Sequence, residues 1–315
     1  MESLSYSRRS QLKNCPRSFY YKYLMGIEPK ILPKPLRMGS AYSNALELAD
    51  PSEVSKYYMD LPLHMTEELF TEMTIVLALA TSYINIYNIN NKESYTREVE
   101  FGPYQIGNTN YSENGRWDGL DDTTPNAVLI LENKLKSQFS SADVKALALD
   151  EQCTAYISAA RTMYEVPASN ILLTYRVTKK PAHRRGKKET EVEFRNRVIG
   201  IINEDPTRWH EEHKVTRTDE QLNWYQEELL HAAEYMTWLE NKSYPRYTHS
   251  CGNYGGCEFL PICVATTSSE AATLIADNYN MKGRNELPTN SDKRDRSKQE
   301  ETKEQAKRFN HRSIW

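Results

Sequence analysis

The sequence predicts a single α/β domain, and three observations carry that prediction. Apolar residues recur at helical spacing over 64–90 and again over 219–241. From Tyr95 the period shortens to runs rich in Val, Ile, Leu, Tyr and Phe, which read as strands at 96–102, 117–120, 127–132, 170–178 and 191–202. Between the third and fourth of these, 141–164 has a helical pattern, and a strand, a helix and a strand in succession predict a crossover joining parallel strands. A chain of 315 residues, 39% of them apolar, suits one elaborated domain with an ordinary core.

The elements follow in order. Residues 5–26 start at a capping residue, Ser5, and enter a short basic and aromatic helix, with Pro16 opening a second turn. Pro29, Pro33 and Pro35 mark a connector, and a helix over 39–48 is expected after a turn at Gly39. Residues 64–90 read as one long scaffold helix. Residues 219–241 read as another, with Leu222, Leu229, Ala233, Met236 and Leu239 inward. Past Cys263 the chain turns polar, most of all over 291–308, so a domain at 1–263 and a disordered tail at 264–315 are expected. The sequence holds no internal repeat.

A net charge of -3 gives no global attraction for nucleic acid, so such a partner would have to be met by local clusters. Two exist. Residues 1–40 carry eight Lys or Arg against two Glu, and 176–188 carry Arg176, Lys179, Lys180, Arg184, Arg185, Lys187 and Lys188 without an acid, as a hairpin tip would. No apolar run approaches the roughly 18 residues that span a bilayer, and the first residues lack a signal-peptide core, so a cytoplasmic protein with no membrane partner is expected. In that reducing compartment, five cysteines argue against a disulfide framework and raise a metal or cluster instead.

Three motifs then fall in order. Asp118 lies in Gly115-Arg116-Trp117-Asp118-Gly119, read as following a glycine turn; Glu132 ends the apolar strand 127–131; Gln152 and Tyr156 sit four apart on a helix. Antiparallel strands would bring the Asp118 and Glu132 carboxylates together, as Mg²⁺ or Mn²⁺ requires. Alternation puts Lys134 on the Glu132 face, within reach of the same phosphate or water, and leaves the Asn133 carbonyl for the metal. Gln152 offers an amide to a phosphate and Tyr156 a ring to a base. Each alone is weak: a Glu-x-Lys is commonly a surface strand end, Asp before Gly a turn, and Gln and Tyr four apart a half-buried pair.

Cys251, Cys257 and Cys263 recur every six residues in a glycine-rich wrap, and Cys15 makes four thiolates, the number that ligates a [4Fe–4S] cluster. Structural zinc and free thiols remain alternatives, although the short Cys-x2-Cys knuckles expected of zinc are absent. Cys153, inside a helix, reads as a small buried residue.

Asp118, Glu132-x-Lys134 and Gln152-x-x-x-Tyr156 resemble the motifs of the PD-(D/E)xK nuclease superfamily. Cys15-Pro16-Arg17-x-Phe19-x-Tyr21 and the trailing cysteines resemble its RecB-like branch, with the CRISPR-associated RecB-like and AddB-type iron–sulfur nucleases. The resemblance covers residues 5–263. It implies a restriction-endonuclease-like core with a mixed central sheet flanked by helices, Mg²⁺- or Mn²⁺-dependent DNA cleavage, and Asp118, Glu132 and Lys134 as the catalytic trio. It also implies an iron–sulfur clasp joining the two ends of the domain through Cys15, Cys251, Cys257 and Cys263. The expected substrate is DNA with free or single-stranded ends, held by Gln152, Tyr156, Arg17, Arg184 and Arg185, with a helicase or recombination protein as partner.

One position departs from the pattern. Ser43 stands where many relatives carry a metal-binding histidine, and a hydroxyl is the weaker ligand. Glu100, on the strand before Asp118, is expected to compensate, ahead of Glu47; strand parity also places Glu98 on the Glu100 face. The rival readings are a DNA-binding or adaptor protein with a weakened site, and a zinc-stapled structural subunit.

Overall fold

A computed structural model describes residues 1–87, 94–240, 242–252 and 256–281. A short strand β1 (Glu2–Ser3) leads into α1 (Tyr6–Asn14), then α2 (Pro16–Phe19), a π-helical turn at Tyr20–Leu24 and β2 (Ile27–Pro29). As the sequence predicts, Pro16 opens the second helix, where its missing N–H costs nothing.

Three helices follow: α3 (Lys34–Leu48), α4 (Ser52–Met59) and α5 (Glu67–Tyr87). The prolines start α3 instead of preceding it, so Gly39 lies inside the helix and no glycine turn exists. The expected helix at 64–90 begins at Glu67, and its last three residues lie outside the described residues. Contrary to the expectation from hydropathy, α5 is long and apolar enough to match a bilayer span. It is instead the core helix of a layer in which Val76, Leu79 and Ala80 are sealed, and its buried Glu72 takes two hydrogen bonds from Arg37 on α3.

The sheet follows. β3 (Thr96–Gln105) pairs antiparallel with β4 (Tyr111–Asp121), which pairs antiparallel with β5 (Val128–Lys136). The crossover helix is broken into α6 (Ser141–Ala146) and α7 (Glu151–Tyr164), because Asp150 restarts it by accepting the Cys153 N–H. β6 (Ile171–Lys179) then pairs parallel with β5, as the strand-helix-strand pattern predicts. The sheet is therefore mixed.

Residues 191–202 form a helix, not the expected strand: α8 (Glu191–Glu204). The opening Glu-Val-Glu-Phe imitates alternation, but Phe194, Val198 and Ile202 recur every four residues and are sealed beside α5, and Thr190 with Glu193 forms a capping box. Residues 180–190 therefore lead into a helix and form no hairpin tip. β1 pairs parallel with β4, and the sixth strand of the sheet, β7 (His210–Val215), pairs antiparallel with β6 and is not legible in the sequence, since His-Glu-Glu-His-Lys-Val is mostly polar. α9 (Asp219–Leu239) buries the five expected residues.

The chain continues as α10 (Leu260–Val264), α11 (Ser268–Asn278) and β8 (Tyr279–Met281), which pairs antiparallel with β2. The tail expected from 264 is thus structured as far as 281, and residues 282–315 lie outside the described residues. α7 and α9 cover one face of the sheet over Val128, Ile130, Leu173 and Val177; α3, α4, α5 and α8 form the layer on the other.

Candidate active site

Asp118 lies within β4, not after a turn. Gly115 is a strand residue whose missing side chain admits a ring: a Cβ there would stand 2.4 Å from Phe101, which packs on the sealed Trp117 at 4.7 Å. β4 and β5 pair only where Gly119, Leu120 and Asp121 face Leu131, Ile130 and Leu129. Beyond that the two strands part. Asp118 spans the gap, its Oδ2 accepting the Asn133 N–H at 2.7 Å. In an extended strand a residue's N–H and C=O point to the same edge, so the Asn133 carbonyl faces the same gap.

Glu132 does not end β5, which continues to Lys136. It is 2% exposed, and its Oε1 takes the ammonium of Lys134 as ion partner. Burial, followed by the charge of Asp118, pushes the Glu132 carboxyl up to about 8, against the pull of Lys134. Burial raises Asp118 as well. Although burial opposes it, Glu132 and Asp118 hold Lys134 firmly protonated.

These groups line a cavity of about 420 Å³ with Ser43 and Glu47 of α3 and Gln152 and Tyr156 of α7. Gln152 donates to the Tyr156 hydroxyl at 3.0 Å. The Tyr156 ring is no platform for a base, because it is 7% exposed and meets Phe101 edge-on.

Glu100 is exposed and away from the cavity, whereas Glu98 and Arg97 both line it. Glu98 has a φ of 55°, a left-handed conformation that interrupts strand alternation, and nothing in the sequence announces it. Burial raises the Glu98 carboxyl to about 7, opposed by its ion partner Arg116 and reinforced by Asp118 and Glu47. Tyr83 of α5 also lines the cavity and donates to the Asn133 side chain, a contact that only packing creates.

The expected phosphate grips lie elsewhere. Arg17 stands over the rings of Tyr20 and Tyr21 and beside Cys263. Arg185 pairs with Glu67 at 3.5 Å, and the Arg184 carbonyl accepts from Arg197; Arg176, of the same basic cluster though not an expected grip, is buried against Glu212 and Tyr83. None of the four lines the cavity.

The Asp118 and Glu132 pair fits a hard divalent cation. Glu132 Oε2 is buried without a hydrogen-bond donor, as an oxygen kept for a metal would be, whereas Glu98 Oε2 is held by Arg116. Among the described residues no three His, Cys, Asp or Glu side chains form a metal-holding group. Two carboxylates and a carbonyl would leave the remaining positions to water and substrate, as Mg²⁺ tolerates.

The expected iron–sulfur clasp is likewise not displayed as a ligating group among the described residues. Cys15, Cys251 and Cys263 lie close enough to Cys257 for their charges to reach its thiol. Against its burial, backbone groups of Tyr247, Ser18 and Arg17 hold the Cys15 thiol below its ordinary range. Cys153 is apart and fully buried, and burial raises its thiol.

No curated protein matches the sequence. Among solved structures, a protein from Eubacterium rectale, provisionally named an exonuclease, is similar over 80% of this chain and 86% of its own at 12% identity, with a TM-score of 0.51. A phage-related exonuclease from Haemophilus somnus is similar over 62% and 81% at 11% identity, with a TM-score of 0.34, too low to carry weight. The first likeness speaks for the fold alone. The model of the PD-(D/E)XK nuclease superfamily matches residues 3–264, the span that holds the sheet, both helical layers and the carboxylate cavity, and the chain belongs to that superfamily.

Proposed function

We propose that this chain is a Mg²⁺- or Mn²⁺-dependent deoxyribonuclease that degrades DNA from free ends, with a preference for single strands, in replication, recombination or repair. The observation that carries the reading is the Glu132 carboxylate, sealed beside Asp118 and Lys134 with one oxygen lacking a donor. Asp118, Glu132 and the Asn133 carbonyl would hold the metal, with Glu98 in place of Glu100 as the further acid. A bound divalent ion would supply an activated water and stabilise the leaving oxyanion. Lys134 keeps its proton and stays beside the attacked phosphate to orient water and offset charge. Gln152 positions the strand. A helicase or recombination protein is the proposed partner.

The order of the four cysteines supports the RecB-like branch, with Cys15, Cys251, Cys257 and Cys263 as ligands of a structural [4Fe–4S] cluster. The half-exposed thiols of the last three and the donors around Cys15 suit such a group. The second reading, a DNA-binding adaptor with a weakened site, is favoured by Ser43, which lines the cavity where many relatives carry histidine.

End-labelled single- and double-stranded DNA incubated with Mg²⁺, Mn²⁺ or excess chelator separates the two. Cleavage that needs metal and is lost in Asp118→Ala, Glu132→Ala and Lys134→Ala, while DNA binding is largely kept, supports the nuclease. Binding without cleavage in the wild type supports the adaptor, and full activity in chelator refutes the metal site.

A further inference from the structure

Glu132 is one end of a row that crosses the sheet. The register places it opposite Tyr175 on β6, and Tyr175 opposite His213 on β7, so the three side chains share the face covered by α7. Lys134 and Lys136 follow Glu132 on that face, about 6.6 Å apart along the strand. Just past the end of β5, Phe139 lies over the row. Its ring stacks on Tyr175 at 6.3 Å and 24° and meets His213 at 5.3 Å. Tyr175 is sealed beneath, and Phe139 is the half-buried outer member.

Lys136 Nζ stands 4.9 Å from the Phe139 ring centre and 5.6 Å from that of Tyr175. The other lysines of these strands are neutralised: Lys134 by Glu132, Lys179 by Glu211 and Lys214 by Glu212. Among the described residues Lys136 has no carboxylate within ion-pair distance. Asp143 feels its charge but is committed to the backbone and hydroxyl of Ser140. An unneutralised cation on an aromatic stack, one step along the strand from Lys134, matches an unpaired nucleotide: base on ring, phosphate on ammonium.

We propose that Phe139, Lys136 and His213 form a subsite for the nucleotide adjoining the scissile phosphate of single-stranded DNA. The base stacks on Phe139 with His213 at its flank, and Lys136 takes the phosphate. The subsite rests on the nuclease reading of the neighbouring cavity.

Full-length protein in excess chelator, titrated with single-stranded oligonucleotides carrying 2-aminopurine at successive positions from the end, tests it. Wild type should quench the probe at one position. Phe139→Leu, which keeps apolar volume, should lose that quench and bind single strands about tenfold more weakly. Phe139→Trp should restore both, and equal thermal unfolding midpoints would show that the fold is kept. Lys136→Ala should keep the quench but lower the salt dependence by about one phosphate contact. A wild-type quench and affinity in Phe139→Leu, from a protein whose wild type cuts DNA with Mg²⁺ or Mn²⁺, overturns the subsite alone. A wild type that neither binds nor cuts single strands overturns the nuclease reading and takes the subsite with it.

Discussion

At the scale of single residues, the site is governed by what burial does to acids. A carboxyl whose pKa is raised on folding holds its proton more tightly folded than unfolded. Its contribution is full at low pH and declines as pH climbs from the ordinary carboxyl range through the folded value. Glu132, raised to about 8, and Glu98, raised to about 7, act with the same sign. Metal-free protein should therefore lose thermal stability between about pH 5 and pH 8. Glu132→Gln should flatten that decline, and Mg²⁺ should restore more stability at pH 8 than at pH 6, since metal and proton compete for the same oxygens. Thermal unfolding across pH, with chelator and with Mg²⁺, measures all three. An identical slope in wild type and Glu132→Gln would show that another group titrates.

At the scale of elements, two helices decide how the strands are used. α3 turns Gly39, Ser43 and Glu47 toward the cavity, four residues apart on one face. Ser43→His would set an imidazole at that wall, and it should tighten divalent binding and favour Mn²⁺ over Mg²⁺. Calorimetric titration reads this directly, and unchanged affinities would remove Ser43 from the metal's surroundings. α8 depends on the reciprocal bonds of Thr190 and Glu193 at its start. Thr190→Ala should cost about 1 kcal/mol and lower the unfolding midpoint by about 2–4 °C, without changing DNA affinity; a midpoint equal to wild type would mean the cap is idle.

At the scale of the molecule, the N-terminal segment is fastened into the domain. Arg9, 1% exposed, reaches Glu113 of β4 at 3.2 Å and Glu151 of α7 at 3.1 Å, and it donates to Tyr225 of α9. β2 and β8 then join that segment to residues 279–281. Cys15, accepting the Tyr247 N–H at 3.5 Å, lies at the same seam. If a cluster binds there, Cys15→Ser and Cys257→Ser should lose iron together with solubility and DNA affinity, and Cys153→Ser should keep its iron. Iron, zinc and sulfide analysis checks this: zinc in place of iron would make the staple a zinc site, and an iron-replete Cys15→Ser would break the proposed link.

The sequence by itself determined the α/β class, the crossover and the inward face of α9, because long periodic segments and short apolar runs report burial locally. It also singled out Asp118, Glu132, Lys134 and Gln152, by residue type and by the resemblance of their order to a family's motifs, and the fold brings all four to one cavity. Only the tertiary structure decided that Glu98 lines the cavity and Glu100 does not, since Glu98 bends left-handed beside Arg97 at the cavity wall while Glu100 lies exposed further along the strand. Packing likewise decided that Tyr156 is sealed by Phe101 and that Arg176 is spent on Glu212 and Tyr83. The helix at 191–204 and the strand at 210–215 follow the same rule, because α5 and β6, distant in sequence, supply the surfaces that hold them. A side chain's type is written at its own position, but whether it is exposed, paired or charged depends on neighbours that the fold brings from elsewhere.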